Sequence, residues 1–245
     1  MSQPVGTGGP CTTWGAVASL AWGFAAIVAW LLAQIAFGEL ISGWFDIERA
    51  QLGVYAPFVA IVTIASAVMP LAVIVAAIRS ANCSVAGYLA LQMPSREYLV
   101  LGLIVLAVVL PLVDLLSWFA GYQVTPQFVV DLYKTARESG ALFLLLIALV
   151  VAAPLVEEVV FRGFLLPGLA ASAIGTVGAL LLTSGLWALL HVQYQPFYLI
   201  QIMLLGVLFG WLRLRSGSTT LTIILHGILN FAALVQAAVI VEWLG

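Results

Sequence analysis

Residues 141–166 read "ALFLLLIALVVAAPLVEEVVFRGFLL". Sixteen uncharged residues lead into Glu157 and Glu158, and Arg162 follows within the same turn and a half. A membrane-spanning helix needs about 20 consecutive apolar residues, and this stretch supplies them. An ionisable residue at the centre of such a helix costs about 2.5–3.5 kcal/mol on insertion scales. Three of them in one segment therefore demand partners or a function.

The rest of the chain has the same character. Of 245 residues, 64% are hydrophobic and 7% charged, against roughly 25% charged in a soluble domain. So few charges cannot cover the surface of a water-soluble protein of this size, and the composition is that of an integral membrane protein. Apolar blocks recur at about 14–38, 53–78, 98–120, 140–166, 173–192, 196–212 and 219–243. The blocks are continuous and long, unlike the alternating ten-residue segments of a membrane barrel. The expected fold is all-α, a polytopic bundle of seven to eight membrane helices. It forms one domain over 14–245, after a disordered lead over 1–13. A net charge of −2 gives no electrostatic case for nucleic acid.

The linking segments hold most of the polar residues. In "GYQVTPQFVVDLYKTARESG" (121–140), Phe128, Val129, Leu132 and Tyr133 share one helical face, which predicts an amphipathic interfacial helix. The short apolar piece within 79–97 is expected to lie in the same plane. Arg79, Arg96, Arg213 and Arg215 fall on one side, and Arg49, Lys134 and Arg137 on the other. This is a slight bias toward a cytoplasmic N-terminus. Cys11 and Cys83 have no metal-ligand spacing; two unrelated thiols is the favoured reading, with a disulfide as the alternative.

The ionisable residues inside the blocks are Asp114, Glu157, Glu158, Arg162, His191 and His226. Glu158 and Arg162 are four apart and can pair on one face. Glu157 points about 100° away, with no partner in its own helix. Desolvation disfavours the charge on a lone buried carboxylate, which suits a group that takes up and releases a proton near neutral pH. "WALLH" sets Trp187 and His191 one turn apart, and "HGILN" does the same for His226 and Asn230. The second pair can aim two donors at one carbonyl oxygen and at the negative charge that develops there. The bland reading is a helix-packing ion pair with interhelical histidine bonds. His226 lies only about 10 Å into its block at 1.5 Å per residue. Meeting Glu157 and His191 thus requires tilted helices or an incomplete span at 196–212. Pro154, Pro167 and Gly168 are expected to bend the helix that carries the carboxylates. A bend at this depth is tolerated where it lines a wet cavity.

The series Glu-Glu-x-x-x-Arg, aromatic-x-x-x-His, His-x-x-x-Asn on successive apolar helices resembles the type II CAAX prenyl endopeptidases and their bacterial relatives. The wider group is the CAAX protease and bacteriocin-processing family. The matching residues are "EEVVFR" at 157–162, "WALLH" at 187–191 and "HGILN" at 226–230, and the resemblance implies a catalytic core at 140–243. Trp187 stands where phenylalanine is commoner. The resemblance implies an intramembrane endopeptidase in which Glu157 and His191 activate water and His226 with Asn230 form the oxyanion hole. Glu158 and Arg162 would support the site, and Asp114 matches none of its motifs. The implied mechanism needs no cofactor. Zinc held by Glu157, His191 and His226 is the alternative. Expected partners are the bilayer and a peptide or membrane-protein substrate, in some cases lipidated. The expected setting is a bacterial plasma membrane. A non-proteolytic scaffold or immunity protein, and a proton-coupled transporter, are the rival readings.

Overall fold

The computed structural model describes residues 14–244. The N-terminal lead, like Cys11, lies outside the described residues. No strand is present among the described residues. The helices are α1 (Ala16–Ser42), α2 (Ala56–Ser80), α3 (Arg96–Phe119), α4 (Gln127–Ser139), α5 (Leu142–Ala170), α6 (Gly175–Leu189), α7 (Pro196–Ser216) and α8 (Thr219–Leu244). Six of them are long and apolar enough to cross a membrane. All seven apolar blocks are helical, but the block at 173–192 yields only the 15-residue α6. The helix at 196–216 is full length, so the incomplete element is α6.

The outer faces are apolar. Leu103, Ile104, Val108, Leu112 and Leu115 of α3 are all exposed, as a lipid-facing surface requires. α5 lies at the centre, and residues 156–166 are buried without exception. α8 packs against α3, α4, α5 and α7.

α5 is not a uniform helix. It widens into π turns at Ile147–Ala152 and Val159–Leu165, on either side of the carboxylates. The first has a sequence cause. In the π register the Ala153 N–H donates to the Ala148 carbonyl, five residues back. The next donor in that register would be residue 154, and proline has no N–H. The Leu149 carbonyl is thereby left open, and the Asn230 Nδ2 donates to it at 2.7 Å. Pro154 thus marks a break in the regular hydrogen-bond register of α5, and a side chain of α8 fills the hydrogen bond that proline cannot make.

α4 is the expected amphipathic helix, with Val129, Leu132 and Ala136 buried. The Thr135 hydroxyl donates to the Val54 carbonyl at 2.9 Å and accepts from the Ala56 N–H at 3.0 Å. An ion pair joins Arg137 to Glu242 of α8. The segment at 79–97 departs from expectation. It tucks under the turn between α7 and α8, with Tyr88 and Leu89 buried. The Thr219 N–H donates to Ala90 and its hydroxyl to Leu89. Ser218 and Thr219 are fully buried, so α8 begins below the surface. That is why His226, two turns along, reaches the depth of the carboxylates. Cys83 is disulfide-bonded, which corrects the reading of an unrelated thiol at this position.

Asp114 accepts a hydrogen bond from Gln236 at 2.7 Å, and Gln201 donates to Ser117 at 2.9 Å. Together these polar clips tie α3 to α8 and α7.

Gly227 packs directly on this segment of α5. A Cβ there would stand 2.7 Å from the Val150 carbonyl oxygen. Gly227→Ala forces α8 away from α5, with overpacking of about 1–3 kcal/mol. Thermal unfolding in detergent micelles is expected to show a lower midpoint for this variant than for wild type.

Candidate active site

Four elements bring the polar residues together. The π turns of α5 set Glu157 and Glu158, the end of α6 sets Trp187, the following turn sets His191, and α8 sets His226 and Asn230. His191 is not inside a helix, as its position in the apolar block implied. α6 ends at Leu189, and His191 folds back so that its Nδ1 lies 2.9 Å from the Trp187 carbonyl. A carbonyl only accepts, so Nδ1 carries the hydrogen. The Nε2 lone pair is then turned to the interior, 3.9 Å from the Glu157 Oε2.

Glu158 is fully buried. Its Oε1 accepts from the Arg162 Nη1 at 3.0 Å, as the spacing of four implied. It also accepts from the His226 Nδ1 at 2.9 Å. Arg162 lies over the Trp187 ring, 4.2 Å from its centroid, and reaches the Gly206 carbonyl at 3.4 Å. The glycine matters here, because a Cβ at 206 would lie 3.0 Å from the Trp187 ring and 2.8 Å from Ser184.

Glu157 has no partner in its own helix, as read from the sequence, but it has one across the bundle. The Trp187 Nε1 donates to its Oε2 at 2.6 Å. The same oxygen lies 4.0 Å from the His226 Nε2. Trp187 is therefore more than a packing residue: phenylalanine could fill the space but could not donate.

Glu157, Trp187, His191, His226 and Asn230 all line one cavity of about 710 Å³. It reaches the exposed Glu39–Arg49 ion pair at the end of α1. Tyr194 lines it too, a residue that no spacing argument singled out. The Tyr194 N–H bonds to the His191 carbonyl, which sets its ring on the imidazole at 6.0 Å. Burial first, and the Glu157 charge second, raise the pKa of its hydroxyl, so it remains a donor. Asp114 does not line this cavity.

The alternative zinc set does not fit as arranged. Two ligands in a tetrahedral zinc shell stand about 3.3 Å apart, from metal distances of about 2.0 Å. Both histidine nitrogens are farther than that from the Glu157 Oε2, and this oxygen already accepts the indole hydrogen.

Residues 139–232 match the family described as Rce1-like, type II CAAX prenyl endopeptidase Rce1-like. The match contains Glu157, Glu158, Arg162, Trp187, His191, His226 and Asn230. The similarity to that family is confined to this segment, less than half of the chain. Neither the curated proteins nor the solved structures gave a match. With six candidate spans among the described residues, the chain is a multi-pass membrane protein, and its segment 139–232 is similar to CAAX-type membrane endopeptidases. α1 to α3, and nearly all of α4, lie outside the matched segment.

Removing one member of a buried ion pair leaves an uncompensated charge and costs about 3–5 kcal/mol. Arg162→Leu is expected to lower the melting midpoint strongly in detergent. Replacing Glu158 and Arg162 together by Leu and Met should recover much of that loss, read in the same melting experiment.

Proposed function

We propose that the protein is an intramembrane endopeptidase that hydrolyses a peptide bond with a water activated by Glu157 and His191. One observation carries this reading. A single oxygen of Glu157 faces two imidazole Nε2 atoms at 3.9 and 4.0 Å inside a cavity that reaches the exterior. These gaps are too long for direct hydrogen bonds and suit one bridging water.

In the reaction Glu157 takes a proton from that water, and the hydroxide oxygen bonds to the scissile carbonyl carbon. The carbonyl electron pair moves onto oxygen as the tetrahedral intermediate forms. The inward Nε2 of His191 accepts a hydrogen bond from the water, then takes the proton held by Glu157 and delivers it to the departing amine as the oxyanion re-forms the carbonyl and the C–N bond breaks, which leaves Glu157 ionised again. The Trp187 N–H holds the Glu157 carboxylate in place for the first step.

The oxyanion falls to His226 and Asn230. The Nδ1–H of His226 is engaged by Glu158, so its Nε2 donates when the ring carries both protons. Asn230 spends one N–H on Leu149 and keeps the other for substrate. Tyr194 is a further neutral donor on the same wall. No step needs a metal.

The substrate is a peptide or a segment of a membrane protein. The setting that goes with this reading is a bacterial plasma membrane.

Membrane peptides from cells carrying wild type or Glu157→Gln provide the test. A cleavage product found only with wild type is expected. An effect on cells that survives both Glu157→Ala and His191→Ala would instead mark the protein as a non-proteolytic scaffold. For the purified enzyme, Trp187→Phe is expected to lower kcat about tenfold at little-changed KM, equivalent to one charge-assisted hydrogen bond. Activity is expected to persist in chelator. Loss with rescue by zinc would reassign the mechanism.

A further inference from the structure

One wall of the cavity is α1, which lies outside the segment that carries the family match. It contributes Trp30, Gln34, Gly38 and Ser42, every fourth residue along one stripe of the helix. Trp30 is 8% exposed, and its Nε1–H is buried with no acceptor among the described residues. The half-buried Gln34 amide likewise has no hydrogen-bond partner among the described residues. Phe58, Val59 and Val62 of α2 and Phe128 and Val129 of α4 make up apolar parts of the same lining.

A buried donor left unpaired costs about 1–3 kcal/mol. Nothing in the packing of α1 requires one, since leucine or phenylalanine would fill either position. The complementary problem belongs to a substrate. An extended peptide at membrane depth exposes backbone groups that lipid cannot satisfy. A helical one has those groups already paired and its scissile carbonyl shielded.

We propose that α1 is the docking wall for an extended apolar peptide segment, with Trp30 and Gln34 hydrogen-bonding its backbone. The indole N–H donates to one peptide carbonyl. The Gln34 amide both donates and accepts, and so matches one peptide unit. Gly38 keeps the wall low between Gln34 and the rim. From Trp30 to Ser42 the stripe runs about 18 Å at 1.5 Å per residue. That holds about five extended residues at about 3.3 Å each. Trp30 belongs to the same buried cluster as Val156 and Trp187, whereas Ser42 lies by the exposed Glu39–Arg49 pair. The segment therefore enters past that pair and is laid toward Glu157. This assignment rests on the hydrolytic reading for its direction and on the unpaired groups of α1 for its place.

The test uses the full chain carrying Glu157→Gln in detergent micelles. The probe is a fluorescein-labelled decapeptide of Leu and Ala flanked by Lys, followed by anisotropy over empty micelles. Saturable binding is expected. Adding Trp30→Phe or Gln34→Leu should weaken it about three- to tenfold, the equivalent of one net hydrogen bond. The melting midpoint of Gln34→Leu should not fall, because the lost amide had no partner among the described residues. In active enzyme the same substitutions should raise KM and leave kcat within about twofold. Affinity unchanged in both variants, absence of saturable binding, or weaker binding only in step with a lower melting midpoint overturns the proposal. Saturable, Trp30-dependent binding of a peptide that wild type never cuts leaves the docking wall standing and overturns hydrolysis instead.

Discussion

The Glu158 carboxylate is the constraint on which the site is built. It is buried completely, and such a charge persists only where opposite charge and hydrogen bonds compensate it. Arg162 supplies the charge from the next turn, and His226 supplies a ring N–H from α8. Satisfying one anion thus fixes the position of a neighbouring helix and the orientation of an imidazole. Arg162 then carries the constraint onward by lying on Trp187, whose N–H in turn holds Glu157. Four side chains from three helices are locked by one buried charge. Glu157, beside it, keeps an oxygen facing open space.

Much of this was legible in the sequence, for identifiable reasons. Spans follow from continuous apolar runs, because lipid enforces internally paired backbone. The Glu158–Arg162 pair follows from helical spacing. The convergence of Glu157 with His191, His226 and Asn230 was implied by motif order, and all four do line one cavity. What the sequence hid depended on contacts between distant segments. The depth of His226 comes from the loop around Leu89 burying the start of α8. The indole bond to Glu157 needs the distance between α5 and α6, which no spacing within either helix encodes. The disulfide at Cys83 was the less favoured of two readings, because two cysteines alone form no framework. His191 escaped its helix because α6 stops short, and no breaker residue near Leu189 announces that stop. Tyr194 and the polar stripe of α1 carry no motif.

Pro154 and Asn230 show how a structural need and a chemical one share a residue. The proline removes the donor that the Leu149 carbonyl would use, and the asparagine returns it from another helix. One amide hydrogen of Asn230 is committed to the register break that precedes Glu157. Substitution at either position disturbs backbone and site together, so loss of activity there is not by itself a measure of contact with substrate.

The brevity of α6 has a consequence for the surrounding lipid. Fifteen residues span about 22 Å, whereas the hydrocarbon layer is about 30 Å thick. Where this helix faces acyl chains, hydrophobic mismatch favours local thinning of the leaflet. The thinned region is beside His191, just past the helix end. Headgroups and their hydration water are thereby drawn toward the histidine side of the bundle, so acyl-chain length becomes a variable in how readily solvent reaches the reacting centre.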